Sequence, residues 1–240
     1  MRKFLLWDHD GVLVDTERWY FVATQECLRE LGVELDHATY LQLMAVGRSC
    51  WELALDHGQS EAVIAAKRRE RNRRYRSYLA TKDIEIDGVR ETLSALCTPY
   101  RMAIVSTSKR TDMELIHRAR DILPCFEFVL TIEDYEQPKP APDPYVKALQ
   151  RFGALAQEAV AIEDSSRGLR SAMATGIDCV VVRNEFTASQ DFSGAWRILH
   201  SIRELPATLA ANEMAADDAM VTEAKPSQTS IGPSPTYTGT

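Results

Sequence analysis

The feature that most constrains this chain is a short apolar run, Lys3-Phe4-Leu5-Leu6-Trp7, that stops abruptly at Asp8-His9-Asp10-Gly11. Consecutive large apolar side chains leave no solvent face, so the run fits a strand buried on both sides that enters a polar turn. The scheme recurs. Residues 101–105 form an apolar run that ends in Ser106-Thr107-Ser108, and residues 126–130 form another. Residues 159–162 end in Glu163-Asp164, and residues 179–182 supply a fifth run. Helical periodicity fills the intervals at 89–96, 113–119, 144–152 and 168–175. Buried strands alternating with helices predict an α/β fold with a parallel sheet.

Residues 16–82 break this rhythm. They carry almost no strand signal and read as helices over 19–31, 40–45, 50–57 and 60–79, with Gly32 and Gly58 placed to stop two of them. The expected organisation is a core of residues 1–15 and 83–205, an all-helical insertion over 16–82, and a disordered tail over 206–240. The tail is predicted because its Ala, Ser, Thr, Pro and acidic residues offer no periodic apolar face.

Composition narrows the function class. The chain is 240 residues long, 45% hydrophobic, with a formal net charge of -7. That size supports a large core without metal or disulfide staples. The five cysteines, Cys27, Cys50, Cys97, Cys125 and Cys179, are scattered with no CxxC pair, which predicts free thiols in a reducing, cytoplasmic setting. No apolar run has the length of a membrane span. The basic run 67–76 invites a nucleic-acid reading, but the acidic balance and the absence of interleaved aromatic platforms favour a solvated helix face. The expected partner is a small molecule, not nucleic acid or membrane, with the chain a monomer or weak homodimer.

Four polar clusters carry the candidate chemistry, three at predicted strand ends and one, around Lys139, in the loop that follows one. In an open parallel sheet the carboxyl edge of the strands is where ligands bind. Asp8 and Asp10 project to the same side of an extended chain. A divalent cation would relieve the cost of two acids beside a buried strand. Asp8 can then act as a nucleophile toward phosphorus and Asp10 as general acid and base. Ser106 and Thr107, with Lys109 adding charge, suit a phosphate cradle, although Ser and Thr also cap helices in any protein. Lys139 stands in a proline-rich loop, Gln137-Pro138-Lys139-Pro140-Ala141-Pro142, stiff enough to aim it. Glu163 and Asp164 add hard oxygen ligands suited to Mg²⁺, although a capping role for Asp164 or Ser165 remains open. The order acid-x-acid, Ser/Thr, Lys, acid-acid at one sheet edge is not what independent capping predicts.

Taken together these motifs resemble the haloacid dehalogenase superfamily over about residues 4–185. The first motif is Asp8-His9-Asp10-Gly11-Val12-Leu13-Val14-Asp15-Thr16-Glu17, the second falls at Ser106, the third at Lys139, and the fourth at Glu163-Asp164-Ser165 with Gly168 following. Asp87-Gly88-Val89 resembles the return from the family's cap. The resemblance implies a Rossmann-like core with a helical cap. It implies Asp8 as nucleophile, Asp10 as acid and base, and Ser106 and Lys139 as holders of the transferring phosphoryl. It also implies Mg²⁺ on the Asp8 side chain, the Asp10 backbone carbonyl and Asp164, with Glu163 nearby.

The β-phosphoglucomutase and phosphoglycolate phosphatase branch is the most similar. Mutases of that branch resemble Gly-x-Ser-Arg in the cap, where this chain has Gly47-Arg48-Ser49-Cys50, so Arg48 is displaced as a second phosphate ligand. Asp10 counts against dehalogenation. The absence of lysine between Lys3 and Lys67 counts against Schiff-base phosphonate cleavage. The expected activity is a Mg²⁺-dependent phosphatase of a small phosphorylated metabolite. A phosphomutase and a non-catalytic binding protein on the same fold are the alternatives.

Overall fold

A computed structural model describes residues 2–46, 48–118 and 120–211. Its six strands are β1 (Phe4–Trp7), β2 (Arg101–Val105), β3 (Phe128–Leu130), β4 (Ala159–Glu163), β5 (Asp178–Val182) and β6 (Arg197–Leu199). They form one parallel sheet in the order β3-β2-β1-β4-β5-β6. Helices among the described residues include α1 (Glu17–Arg29), α2 (His37–Ala45), α3 (Glu52–Asp56), α4 (Glu61–Thr81), α5 (Val89–Leu96), α6 (Arg110–His117), α7 (Asp143–Phe152) and α8 (Ser166–Ala174).

Strand period explains the two cores. Leu5 and Trp7 face one side of β1, and join Met102, Ile104, Val160 and Ile162 under Val89, Leu93 and Leu96 of α5. Phe4 and Leu6 face the other side, and join Ala103, Val105, Ala161 and Val181 under Tyr145 and Phe152 of α7 and Leu169 of α8. Covering on both faces is why these strands read as unbroken apolar runs rather than alternating ones. β1 is central, flanked by β2 and β4, so its carboxyl end, Asp8, lies at the point where strand order reverses.

The helices α1–α4 gather a separate apolar cluster, including Leu28, Leu35, Tyr40, Trp51 and Ile64. Phe186, from the loop after β5, inserts into that cluster. The two chain crossings between the helical segment and the sheet lie side by side, where Val14 bridges Glu85 and the Asp15 amide donates to the Ile84 carbonyl at 2.9 Å. Part of the basic run on α4 pairs with acids at the end of α1 and on α4 itself. Lys67 and Arg74 both pair with Glu30 and Glu70. Such exposed pairs fix the helix register more than they add stability.

Two features depart from the sequence expectation. β6 gave no signal because it has three residues, of which only Leu199 is buried. The expected tail starts too early: residues 205–211 are helical, and Leu205 and Leu209 are buried against the α5 face of the sheet. An apolar pair four apart is too short a pattern to register as a periodic face. Residues 212–240, Gly47, Ala119 and Met1 lie outside the described residues.

Candidate active site

The carboxyl ends of β1, β2 and β4 bring the predicted clusters together. Asp8 follows directly on β1, and its amide donates to the Ile162 carbonyl of β4 at 2.8 Å. Lys139, buried at 4% exposure, donates to Asp8 Oδ1 at 2.6 Å and to the Val105 carbonyl at 2.7 Å. Its Nζ also lies 2.7 Å from Glu163 Oε1. One ammonium therefore ties together the ends of β1, β2 and β4. Burial works to lower the Lys139 pKa, but the charges of Asp8 and Glu163 outweigh it and hold the lysine firmly protonated.

Burial, opposed by Lys139 and reinforced by Glu163 and Asp10, pushes the Asp8 carboxyl up to about 7. Asp164 is raised well above the carboxylate range by burial and by the charges of Asp8 and Glu163. Oxygens of Asp8, Glu163 and Asp164 lie within 4.8 Å of one another. The only cation paired with this trio among the described residues is Lys139. Glu163 Oε2 is buried with no hydrogen-bond partner among the described residues. Three crowded hard oxygens, an orphaned lone pair and two raised pKa values fit a divalent cation of the magnesium type.

Gly11 and Gly168 make this crowding possible. A Cβ on Gly11, whose φ is +82°, would stand 2.1 Å from Asp164 Oδ2. A Cβ on Gly168 would stand 1.9 Å from the Glu163 carboxyl carbon.

Asp10 has a different environment. Thr16 Oγ1 donates to its Oδ1 at 2.6 Å, Ser108 Oγ to its Oδ2 at 2.6 Å, and Ser106 Oγ to Oδ2 at 3.4 Å. Burial works to raise its pKa, but His9 and these hydroxyl donors outweigh it, leaving it below the ordinary range. Its carboxylate stands outside the acidic trio.

Other expected residues are placed less centrally. Thr107 lines the cavity beside Arg167, whose guanidinium lies 3.4 Å from Thr107 Oγ1. Lys109 is a correction: it is exposed at the residue preceding α6 and does not line the cavity. The turn of three residues after Ser106 carries its side chain outward. Arg48 lines the cavity, but its Nε donates to Glu52 Oε2 at 2.7 Å and its side chain is 55% exposed. Glu52, the first residue of α3, thus gives it a carboxylate partner of its own.

Several residues escaped sequence reasoning. Tyr145 donates its hydroxyl to Glu163 Oε1 at 2.7 Å, and Asn184 Nδ2 donates to Asp164 Oδ2 at 2.8 Å. Thr16 and Ser108 stood within the quoted motifs but were given no role of their own. Arg71 was read as part of a solvated basic face, yet it is 7% exposed. It lies 3.9 Å over the Tyr20 ring and donates to Thr24 Oγ1 at 3.2 Å. The arginine lines the cavity with no ion-pair partner among the described residues. An inward-facing position within a basic run would have shown only in the phase of α4 relative to α1.

The cavity above Asp8 measures about 1150 Å³ and is walled by both the sheet edge and the helical segment. Glu17, Tyr20, Tyr40, Arg71 and Trp51 contribute from the latter, and Arg167, Arg170, Phe186 and Gln190 from the core.

Comparison with known proteins agrees with this architecture. A family profile described as haloacid dehalogenase-like hydrolase matches residues 5–182. Protein CbbY of Rhodobacter capsulatus is 33% identical over 213 residues, 82% of this chain and 92% of that protein. Fructose-1-phosphate phosphatase YqaB of Escherichia coli is 27% identical over 182 residues, 75% of this chain and 95% of that one. The crystal structure of CbbY from Rhodobacter sphaeroides in complex with phosphate has a TM-score of 0.69 at 26% identity, covering 85% of this chain and 96% of the other. A mutant of the same protein, with the same score and coverage, is in complex with xylulose-(1,5)bisphosphate.

Proposed function

The chain belongs to the haloacid dehalogenase-like hydrolases, and from that premise we propose that it is a Mg²⁺-dependent phosphatase of a small phosphorylated sugar, acting through an aspartyl-phosphate on Asp8. The observation that carries this reading is the Asp8 carboxylate, held 2.6 Å from Lys139 at the floor of a cavity of about 1150 Å³.

Asp8 attacks phosphorus while the alkoxide of the sugar leaves, and water then cleaves the acyl phosphate. Asp8 and Asp164, with Glu163 beside them, would hold Mg²⁺, which would offset the charge repulsion between the carboxylate and the phosphoryl group. Asp10 delivers a proton to the leaving oxygen in the first half and takes one from water in the second. The donors from Thr16, Ser108 and His9 favour its ionised form in the substrate-free protein, the form the second half needs. Lys139 orients Asp8 and offsets phosphoryl charge, and Ser106 and Thr107 supply hydroxyls at the cradle. Glu163 anchors Lys139, with Tyr145 fixing Glu163 in turn.

The substrate reading is supported by the opposite wall. Arg71, without a carboxylate partner, suits a second anionic group on the substrate, and half-buried Glu17 suits sugar hydroxyls. CbbY and YqaB, whose names or complexes involve phosphorylated sugars, support the same class.

The test is phosphate release from a panel of sugar mono- and bisphosphates with Mg²⁺, alongside the Asp8→Asn variant. Release that vanishes in Asp8→Asn, and a beryllium fluoride adduct formed only on the wild type, is the expected outcome. Folded wild-type protein that releases no phosphate from any member overturns the reading. Isomer formation without net release would favour a mutase instead.

A further inference from the structure

His9, between the two aspartates of the first motif, is fully buried. A buried imidazole needs partners for both ring nitrogens. Its Nδ1 lies 3.3 Å from Asp10 Oδ2. Its Nε2 lies 2.9 Å from Nε2 of His117, on the last turn of α6. The two rings meet edge to face with centroids 5.1 Å apart. His117 is itself buried, and its Nδ1 has no hydrogen-bond partner among the described residues.

These contacts restrict where the hydrogens lie. An ionised Asp10 only accepts, so the hydrogen of His9 stands on Nδ1. With His9 neutral, its Nε2 accepts, and His117 donates from Nε2. The orphaned His117 Nδ1 is then a bare lone pair. The reverse direction between the rings would make that orphan a buried N–H, which costs more to leave unmet.

We propose that His117 is a positioning residue for the reaction: by donating to His9 Nε2 it locks His9 with Nδ1–H aimed at Asp10, and so fixes the acid–base carboxylate in its working orientation. The proposal rests on the phosphatase reading for its catalytic consequence, but not for its geometry. His9 and His117 complete a frame around Asp10, with Ser108 and Ser106 on the same oxygen and Thr16 on the other. An outer partner that orients a reacting group through a histidine is worth roughly 10–100-fold where such partners have been removed from metal sites.

Three measurements on the full chain test this. Long-range ¹H–¹⁵N correlation spectra of the wild type should place the proton of His9 on Nδ1 and that of His117 on Nε2. A His9 protonated on Nε2 alone overturns the proposal, whatever the enzyme's activity. In His117→Leu, kcat should fall about tenfold with KM and beryllium fluoride trapping at Asp8 unchanged. His117→Gln, whose side-chain amide can donate in place of Nε2–H, should recover most of that loss. An unchanged kcat in folded His117→Leu, or a Gln variant as impaired as the Leu one, overturns the role. If His117→Leu does not fold, the Gln variant and the spectra decide. Should the wild type prove inactive on every phosphate ester, the phosphatase reading fails while the spectra still settle the hydrogen-bond chain.

Discussion

Lys139 Nζ lies 2.6 Å from Asp8 Oδ1, and the same nitrogen lies 2.7 Å from Glu163 Oε1, so one buried cation neutralises part of two carboxylates from neighbouring strands. Replacing it with an apolar residue strands both acids. Lys139→Met should lose about 3–5 kcal/mol of stability at pH 8, the range for breaking a buried pair. The loss should be smaller at pH 5.5, because the stranded acids can take up protons. Urea unfolding at the two pH values checks this. An equal loss at both would mean that the acids are solvated rather than trapped.

The raised Asp8 pKa sets the pH dependence of cation binding. The group is pushed up to about 7 by burial, so below pH 7 the folded protein holds a proton that a free carboxyl would have released. Its contribution to stability therefore falls as pH rises from the ordinary carboxylate range through 7, because the unfolded chain ionises first. A divalent cation must displace that proton. Mg²⁺ affinity should weaken as pH drops from 8 to 6, with proton release larger at pH 6. Calorimetric titration in buffers of different ionisation enthalpy measures both, and an affinity flat over this range would count against the ligand set.

Asp164 has Asn184 as a donor but no cationic partner of its own among the described residues. Asp164→Asn removes one of three crowded acids, whose burial disfavours ionisation. Metal-free protein should melt at a higher temperature at pH 8, and Mg²⁺ affinity should fall at least about tenfold, as for loss of a supporting ligand contact. Thermal shift with and without Mg²⁺ gives both readouts.

Gly168 admits the Glu163 carboxyl group at a distance that no Cβ allows. Gly168→Ala should cost about 1–3 kcal/mol by overpacking. It should also lower activity by pushing Glu163 off Lys139. Full activity with native stability would show that α8 can shift to absorb the methyl group.

Arg71 is the handle for specificity. Arg71→Met should raise KM for a sugar bisphosphate by about tenfold or more, since a charged hydrogen bond contributes roughly 1.5–3 kcal/mol. Hydrolysis of p-nitrophenyl phosphate should change little. Steady-state kinetics on the two substrates separates this from a general loss of folding.

The apolar runs of β1, β2, β4 and β5 were legible in the sequence because strands covered on both faces admit no polar interruption, and those of β1, β2 and β4 ended in the polar clusters. Asp8, Asp10, Glu163 and Asp164 stood out as acids at the ends of buried strands, and Lys139, in a loop between elements, stood out only by its place in the order of the motifs. β6 and the helix over residues 205–211 were not, since a three-residue edge strand and a single apolar pair carry too little periodicity. Arg71 and Lys109 exchanged their expected places, the first turning inward and the second outward. Sequence spacing specifies a residue's face on its own element. Which neighbour that face meets depends on the docking of α4 against α1 and the turn after Ser106. The sequence by itself determined the parallel sheet and the acids at its edge, because burial and charge are properties of residue type and local period. Tertiary structure alone decided the Lys139 bridge, the frame of donors around Asp10 and the His9–His117 contact, because each joins residues brought together only by strand order and helix packing.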